Sequence, residues 1–183
     1  MIIDFLLENE FITKETAMYF RKALPSRKTQ VDGFVLTDQD AKNAYQKIKN
    51  EKDRTLYQVL AFSGIRITEL VKMLNDFAPS KLITDKGISE YPLNYNRGNK
   101  RSQYVYMPSQ LTDKLHRFYT HKDTVSYEIG QYGIAPKYLR KWLYNFLILN
   151  NVPESVSDFI EGRASETTES LKRPNNIKYR DLF

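Results

Sequence analysis

A glycine precedes an arginine by two positions in Gly64-Ile65-Arg66 and by one in Gly162-Arg163. The first stretch continues Ile67-Thr68-Glu69-Leu70. Gly64 suits the left-handed position that ends a helix, where a side chain would be strained. Leu70, Met73 and Leu74 then recur at spacings of three and four, the pattern of a second, amphipathic helix. Arg66 therefore falls at a helix N-terminus, where backbone N–H groups favour a phosphate. Glu69 is placed to brace it. Taken alone, this stretch also fits a helix-turn-helix corner with a surface arginine.

Three further basic clusters follow. Arg97, Lys100 and Arg101 lie in a stretch with no acidic residue between Asn94 and Thr112. Lys137 and Arg140 stand three apart, so both project to one side of a helix start, with Lys141 beside them. Arg163 follows its glycine at once. Arginines on separate helix ends, together with a lysine on a hairpin tip, are a donor set that could converge on one phosphate. The guanidinium fork matches phosphate geometry, and fixed cations stabilise charge that builds on a reacting phosphorus.

The elements that must position these groups read as mainly helical. Residues 1–24 carry helical spacing at Phe5, Leu6, Phe11, Met18, Phe20 and Leu24, and Pro25–Gly33 reads as a polar, basic linker. Thr37 is an N-cap candidate for a helix to about Lys49, with Asp38 and Asp40 in its first turn. A helix over 53–62 delivers the chain to Gly64, and the helix after Arg66 ends near Asn75. Strand patterns follow at 82–84, 88–96 and 102–107, with Pro92 marking an edge or bulge and Arg97-Gly98-Asn99-Lys100 forming a turn. Helices are expected again from a Ser109 N-cap to Tyr119, over 124–131, over 137–150 with Leu139, Trp142, Leu143, Phe146 and Leu147 buried, and from Pro153 to Gly162. The fold class expected is α+β: a helical domain with a small three-stranded antiparallel sheet carrying a basic hairpin turn.

Composition narrows the chemistry. The 183 residues suffice for one domain with a real core, at 41% hydrophobic. A net charge of +6 favours a polyanionic partner. With no cysteine, disulfides and thiol chemistry are excluded, and with two histidines, His116 and His121, so is a histidine-rich metal site. No apolar run reaches the length of a membrane span, and the N-terminus lacks a signal-peptide pattern. A soluble, intracellular protein is expected. With 13 tyrosines present, a reactive one must be singled out by position.

In their order, these motifs resemble those of the tyrosine recombinases, or phage-type integrases. That family opens its site with a G-x-R-x-x-E-L corner, as at Gly64–Leu70 here, and carries a catalytic lysine on a β-hairpin, as in the 97–100 turn. An H-x-x-R helix start follows, represented by Lys137-Tyr138-Leu139-Arg140. A glycine before His or Trp comes last, represented by Gly162-Arg163. Lysine and arginine in the two histidine places resemble the integrases of archaeal viruses and plasmids. The resemblance covers about Phe34 to the C-terminus. Residues 34–183 would be the catalytic domain with a tail at 164–183, and residues 1–33 an N-terminal arm, too short for the usual core-binding domain.

The resemblance implies a metal-free, cofactor-free reaction. Arg66 and Arg140 would clamp the non-bridging oxygens, and Lys137 and Arg163 would complete the clamp. Lys100 would protonate the departing 5′ oxygen; Arg97 is its rival but a poor proton donor. The family's tyrosine spacing falls at Lys172 or Arg173, which departs from the pattern. Tyr179, the one tyrosine after Arg163, is therefore assigned as the nucleophile. Arg97, Arg101 and Lys141 would contact DNA, while Gly64 and Glu69 would support the corner. The expected partner is duplex DNA, with a tetramer on DNA and a monomer or weak dimer without it. Two rival readings stand beside it: a non-cleaving DNA-binding relative that keeps the recombinase fold, and a type IB topoisomerase-like relaxing enzyme that shares the pocket chemistry.

Overall fold

The computed structural model describes residues 2–23, 33–97 and 100–163, and leaves the side chains of 94–97 and 100–102 outside the description. It divides into two compact units, Met1–Gly33 and Phe34–Phe183. In the first, the helical stretch expected over 1–24 is divided into two helices, α1 (Ile2–Glu8) and α2 (Lys14–Ala23). The break has a local cause. Asn9 Nδ2 donates to the Phe5 carbonyl at 2.8 Å, and Glu10 takes a left-handed φ of 59°. Thr13 Oγ1 then accepts the Thr16 N–H at 3.2 Å and starts the second helix.

The second unit is mainly helical, with a three-stranded antiparallel sheet, as expected. Helix α3 (Asp38–Lys47) begins with a capping box: Thr37 Oγ1 accepts from the Asp40 N–H, and Asp40 accepts from the Thr37 N–H. Helix α4 (Glu51–Ser63) is capped by Asn50 and ends at Gly64, which has φ 61°. Helix α5 (Ile67–Asn75) follows at once. Strands β1 (Ile83–Asp85), β2 (Ile88–Arg97) and β3 (Lys100–Pro108) pair in that order. Helices α6 (Lys122–Gly130), α7 (Pro136–Leu149) and α8 (Glu154–Ile160) complete the unit.

Helix α4 is the hub of the core. Its Leu56, Val59, Leu60 and Ala61 are buried, and it packs against α5, α6, α7 and β3. Around it gather Leu70, Met73 and Leu74 from α5, Val105 and Met107 from β3, and Leu139 from α7. The stripe on α7 is narrower than expected: Leu139, Leu143 and Leu147 are buried, whereas Trp142 and Phe146 are half-buried. Trp142 instead turns its Nε1–H to Asp38 Oδ1 at 2.7 Å. A smaller apolar cluster ties α8 to α7 and β3 through Val156, Ile160, Leu143 and Tyr106.

Pro92 lies on β2, the middle strand of the sheet, and the register shift between Pro92 and Tyr95 is the bulge that the proline suggested. Because β1 pairs only with residues 88–90, β2 has no strand on that side where the proline sits. The helix expected over 109–119 is a 3₁₀ turn, Ser109–Lys114, whose N-cap is Pro108 rather than Ser109. Beyond it the chain extends along the end of α5. The Phe118 N–H reaches the Leu74 carbonyl at 3.3 Å, Arg117 Nε reaches the Asn75 carbonyl at 2.8 Å, and Asn75 Oδ1 accepts the Thr120 N–H at 3.0 Å. These contacts to α5 outweigh weak local helix propensity.

Candidate active site

The helix corner at Gly64 fixes Arg66. Arg66 is the N-cap residue of α5, with extended backbone (φ −77°, ψ 154°). Its N–H donates to Glu69 Oε2 at 2.6 Å, and its Nη1 donates to Glu69 Oε1 at 2.5 Å. One buried carboxylate thus holds both the backbone and the side chain of the arginine. Gly64 is needed for conformation and for space. A Cβ there would lie 2.9 Å from Leu143 Cδ2 and 3.2 Å from Glu161 Oε1.

Arg140 joins two corners. It projects from the second turn of α7 and is 8% exposed. Its Nη1 donates to the Gly64 carbonyl at 2.7 Å, and its Nη2 donates to the Glu161 carbonyl at 2.5 Å. Its Nε lies 3.3 Å from Glu161 Oε2, and Nη1 lies 3.9 Å from Glu69 Oε2. Burial lowers its pKa to about 10, against the pull of Glu161 and with Arg66 and Arg163 adding to the fall. A guanidinium carries five N–H donors, and these two bonds, one from each Nη, fix the direction of the fork.

Gly162 repeats the device of Gly64, with φ 61° at both. Arg163 follows it, with Nε 2.7 Å from Glu161 Oε2 and its guanidinium 4.9 Å from the Tyr144 ring centre. Burial and a hydrogen bond to Glu154 raise the Tyr144 phenol. Glu161 is fully buried, and burial pushes its carboxyl up to about 7 although Arg140 and Arg163 pull it down.

Arg66, Lys137 and Arg140 line one open cleft of about 340 Å³, with Lys122, Asp123 and Ser126 of α6 on the facing wall. Arg163 is not among the residues lining it; Glu161 connects Arg163 to the cleft through Arg140. Lys137 Nζ lies 4.7 Å from the Tyr138 ring centre, and Lys141 Nζ lies 5.5 Å from the same ring and outside the cleft lining. Arg97 and Lys100 are Cα partners at the hairpin end, and Arg101 pairs with Asn96. The side chains of Arg97, Lys100 and Arg101, and the whole of Tyr179, lie outside the described residues.

Sequence reading missed Glu161 and the α6 wall. An acid directly before Gly-Arg was the available signal for Glu161. Nothing local marked Lys122, Asp123 or Ser126, which reach the cleft only through the packing of α6 on α5 and α7.

Among known proteins, a family described as archaeal phage integrase matches residues 33–174. No curated protein matches the chain. The crystal structure of XerA recombinase superposes with a TM-score of 0.52 at 18% identity, over 99% of this chain and 79% of that one. XerH site-specific recombinase, solved bound to its difH substrate in a pre-cleavage complex, superposes with a TM-score of 0.54 at 13% identity. That match covers 93% of this chain and 65% of the XerH chain. At these identities the two structures speak for the fold.

Proposed function

The chain belongs to the archaeal phage integrase family, and from that premise we propose that its basic cleft binds the scissile phosphate of duplex DNA for cleavage and rejoining. The observation that carries this is the meeting of Arg66, from the α4–α5 corner, with Lys137 and Arg140 of α7 in one cleft, although about 70 residues separate the corner from the helix. The guanidinium and ammonium donors that line this cleft suit an anion.

Arg66 and Arg140 hold the non-bridging oxygens, and their forks are preset by Glu69 and by the Gly64 and Glu161 carbonyls. Lys137 adds charge from the first turn of α7. Arg163 completes the clamp from behind Glu161. The Tyr179 phenol releases its proton to water and attacks phosphorus, the bond to the 5′ oxygen breaks, and Lys100 gives its proton to that oxygen. The product is a 3′-phosphotyrosyl bond and a free 5′ hydroxyl, and the reverse attack by a 5′ hydroxyl rejoins the strand. Protein residues supply all the groups in this scheme. The bound XerH complex supports a nucleic-acid partner here, and strand exchange between two duplexes would assemble four copies. No helix among the described residues is long and apolar enough to cross a membrane.

The test is covalent capture. Incubation of the chain with pooled nicked duplexes, followed by denaturation, is expected to leave protein attached to DNA at a 3′ phosphate. DNA binding without an adduct on any duplex would favour the non-cleaving reading. Relaxation of supercoiled plasmid with no exchange between sites would favour the topoisomerase-like one.

A further inference from the structure

Glu161 occupies a costly position. It is fully buried at the end of α8, and neither carboxylate oxygen receives an aligned hydrogen bond. Its contacts are charge pairs: Oε2 lies 2.7 Å from Arg163 Nε and 3.3 Å from Arg140 Nε. Its backbone carbonyl accepts from Arg140 Nη2. Gly64 presses on the same carboxylate from the α4–α5 corner, leaving no room for a Cβ. An apolar side chain of similar size would satisfy packing at lower desolvation cost. A carboxylate is instead what keeps two guanidinium groups, which repel each other, at one spacing.

We propose that Glu161 is a positioning residue for strand cleavage, its ionised carboxylate setting the distance between Arg140 and Arg163 so that both address one phosphate. The proposal rests on the recombinase reading of the cleft. It gives the site a pH-sensitive part that is distinct from the nucleophile and the general acid.

The charged groups around Glu161 are Arg140 on α7, Arg163 after α8, Arg66 at the α4–α5 corner and Asp158 on α8. Glu69 reaches the assembly through Arg140. Burial raises the Glu161 carboxyl from 4.5 to about 7; the three arginines oppose the rise and Asp158 adds to it. The sign for function and the sign for stability are opposite. The ionised form, present above about 7, pairs the arginines. A raised carboxyl favours the fold only while protonated, so its stabilisation is full below 4.5 and is lost as pH rises through about 7. A purely structural carboxylate would lose activity and stability together; here they separate.

The experiment compares wild type and Glu161→Gln in the full chain, by single-turnover adduct formation on a captured duplex and by thermal unfolding, across pH. Above about pH 8 the variant is expected to cleave about 10- to 100-fold more slowly, as for a misplaced clamp, with a Tm at least equal to wild type. Below about pH 6 the two rates should converge. Taking the ratio of rates removes the ionisations that both proteins share. A ratio near one at every pH would overturn the proposal, as would a constant deficit with a lowered Tm. If wild type itself forms no adduct, the recombinase reading fails. The same ratio is then taken from duplex binding, and its flatness there would overturn the Glu161 inference.

Discussion

Arg140 spends its donors on the protein before any ligand arrives. Two carbonyls, from Gly64 and Glu161, hold its fork. Arg140→Lys keeps the charge but replaces the planar fork, whose two ends reach the two carbonyls, with a single point of donation. A buried acceptor left unpaired costs about 1–3 kcal/mol, so the variant should lose that much in chemical denaturation while losing most of its cleavage. An unchanged midpoint would mean that these carbonyls find other donors. Arg66 and Arg140 were legible in the sequence because residue type and spacing alone put them at helix starts. Glu161 was not, because its meaning comes from burial between two arginines that are distant in sequence from Gly64. Tyr179 lies outside the described residues.

At the scale of elements, the α4–α5 corner is the part most sensitive to substitution. Gly64→Ala meets a left-handed φ and a Cβ approach of 2.9 Å to Leu143 and 3.2 Å to Glu161. Gly87 has a φ of 86° with nothing within 4 Å, so Gly87→Ala meets the backbone penalty alone. The backbone term is about 1–2 kcal/mol, and the Gly64 variant should exceed the Gly87 variant by a further 1–3 kcal/mol, roughly the cost of overpacking. Equal losses would show that Leu143 and Glu161 move aside freely. Helices with strong periodicity and caps, such as α3, α5 and α7, were legible from local pattern. The segment after Ser109 was not, because its backbone is held by Leu74 and Asn75 of α5, which no local rule anticipates.

For the whole molecule, charge and fold point the same way. A chain of net charge +6 that gathers cations in one cleft should bind duplex DNA with strong salt dependence. Lys137→Ala should weaken binding uniformly across sequences and reduce the slope of log affinity against log salt by about 1, as for one lost phosphate contact. An unchanged slope would place Lys137 off the backbone path. The overall α+β architecture was readable because its parts are local, with a hairpin closed by Arg97 and Lys100 and helices joined by short turns. The convergence of Arg66, Lys137 and Arg140 needed the ordered motifs together with the three-dimensional packing.

The most direct test of the account is the identity of the residue joined to DNA. Nicked duplexes that trap the cleaved strand are incubated with wild type and with Tyr179→Phe, and the DNA-bearing peptide is mapped. Wild type is expected to carry the adduct on Tyr179, and the variant to retain duplex binding with no adduct. An adduct that persists in Tyr179→Phe, or that maps to another tyrosine, would contradict that assignment.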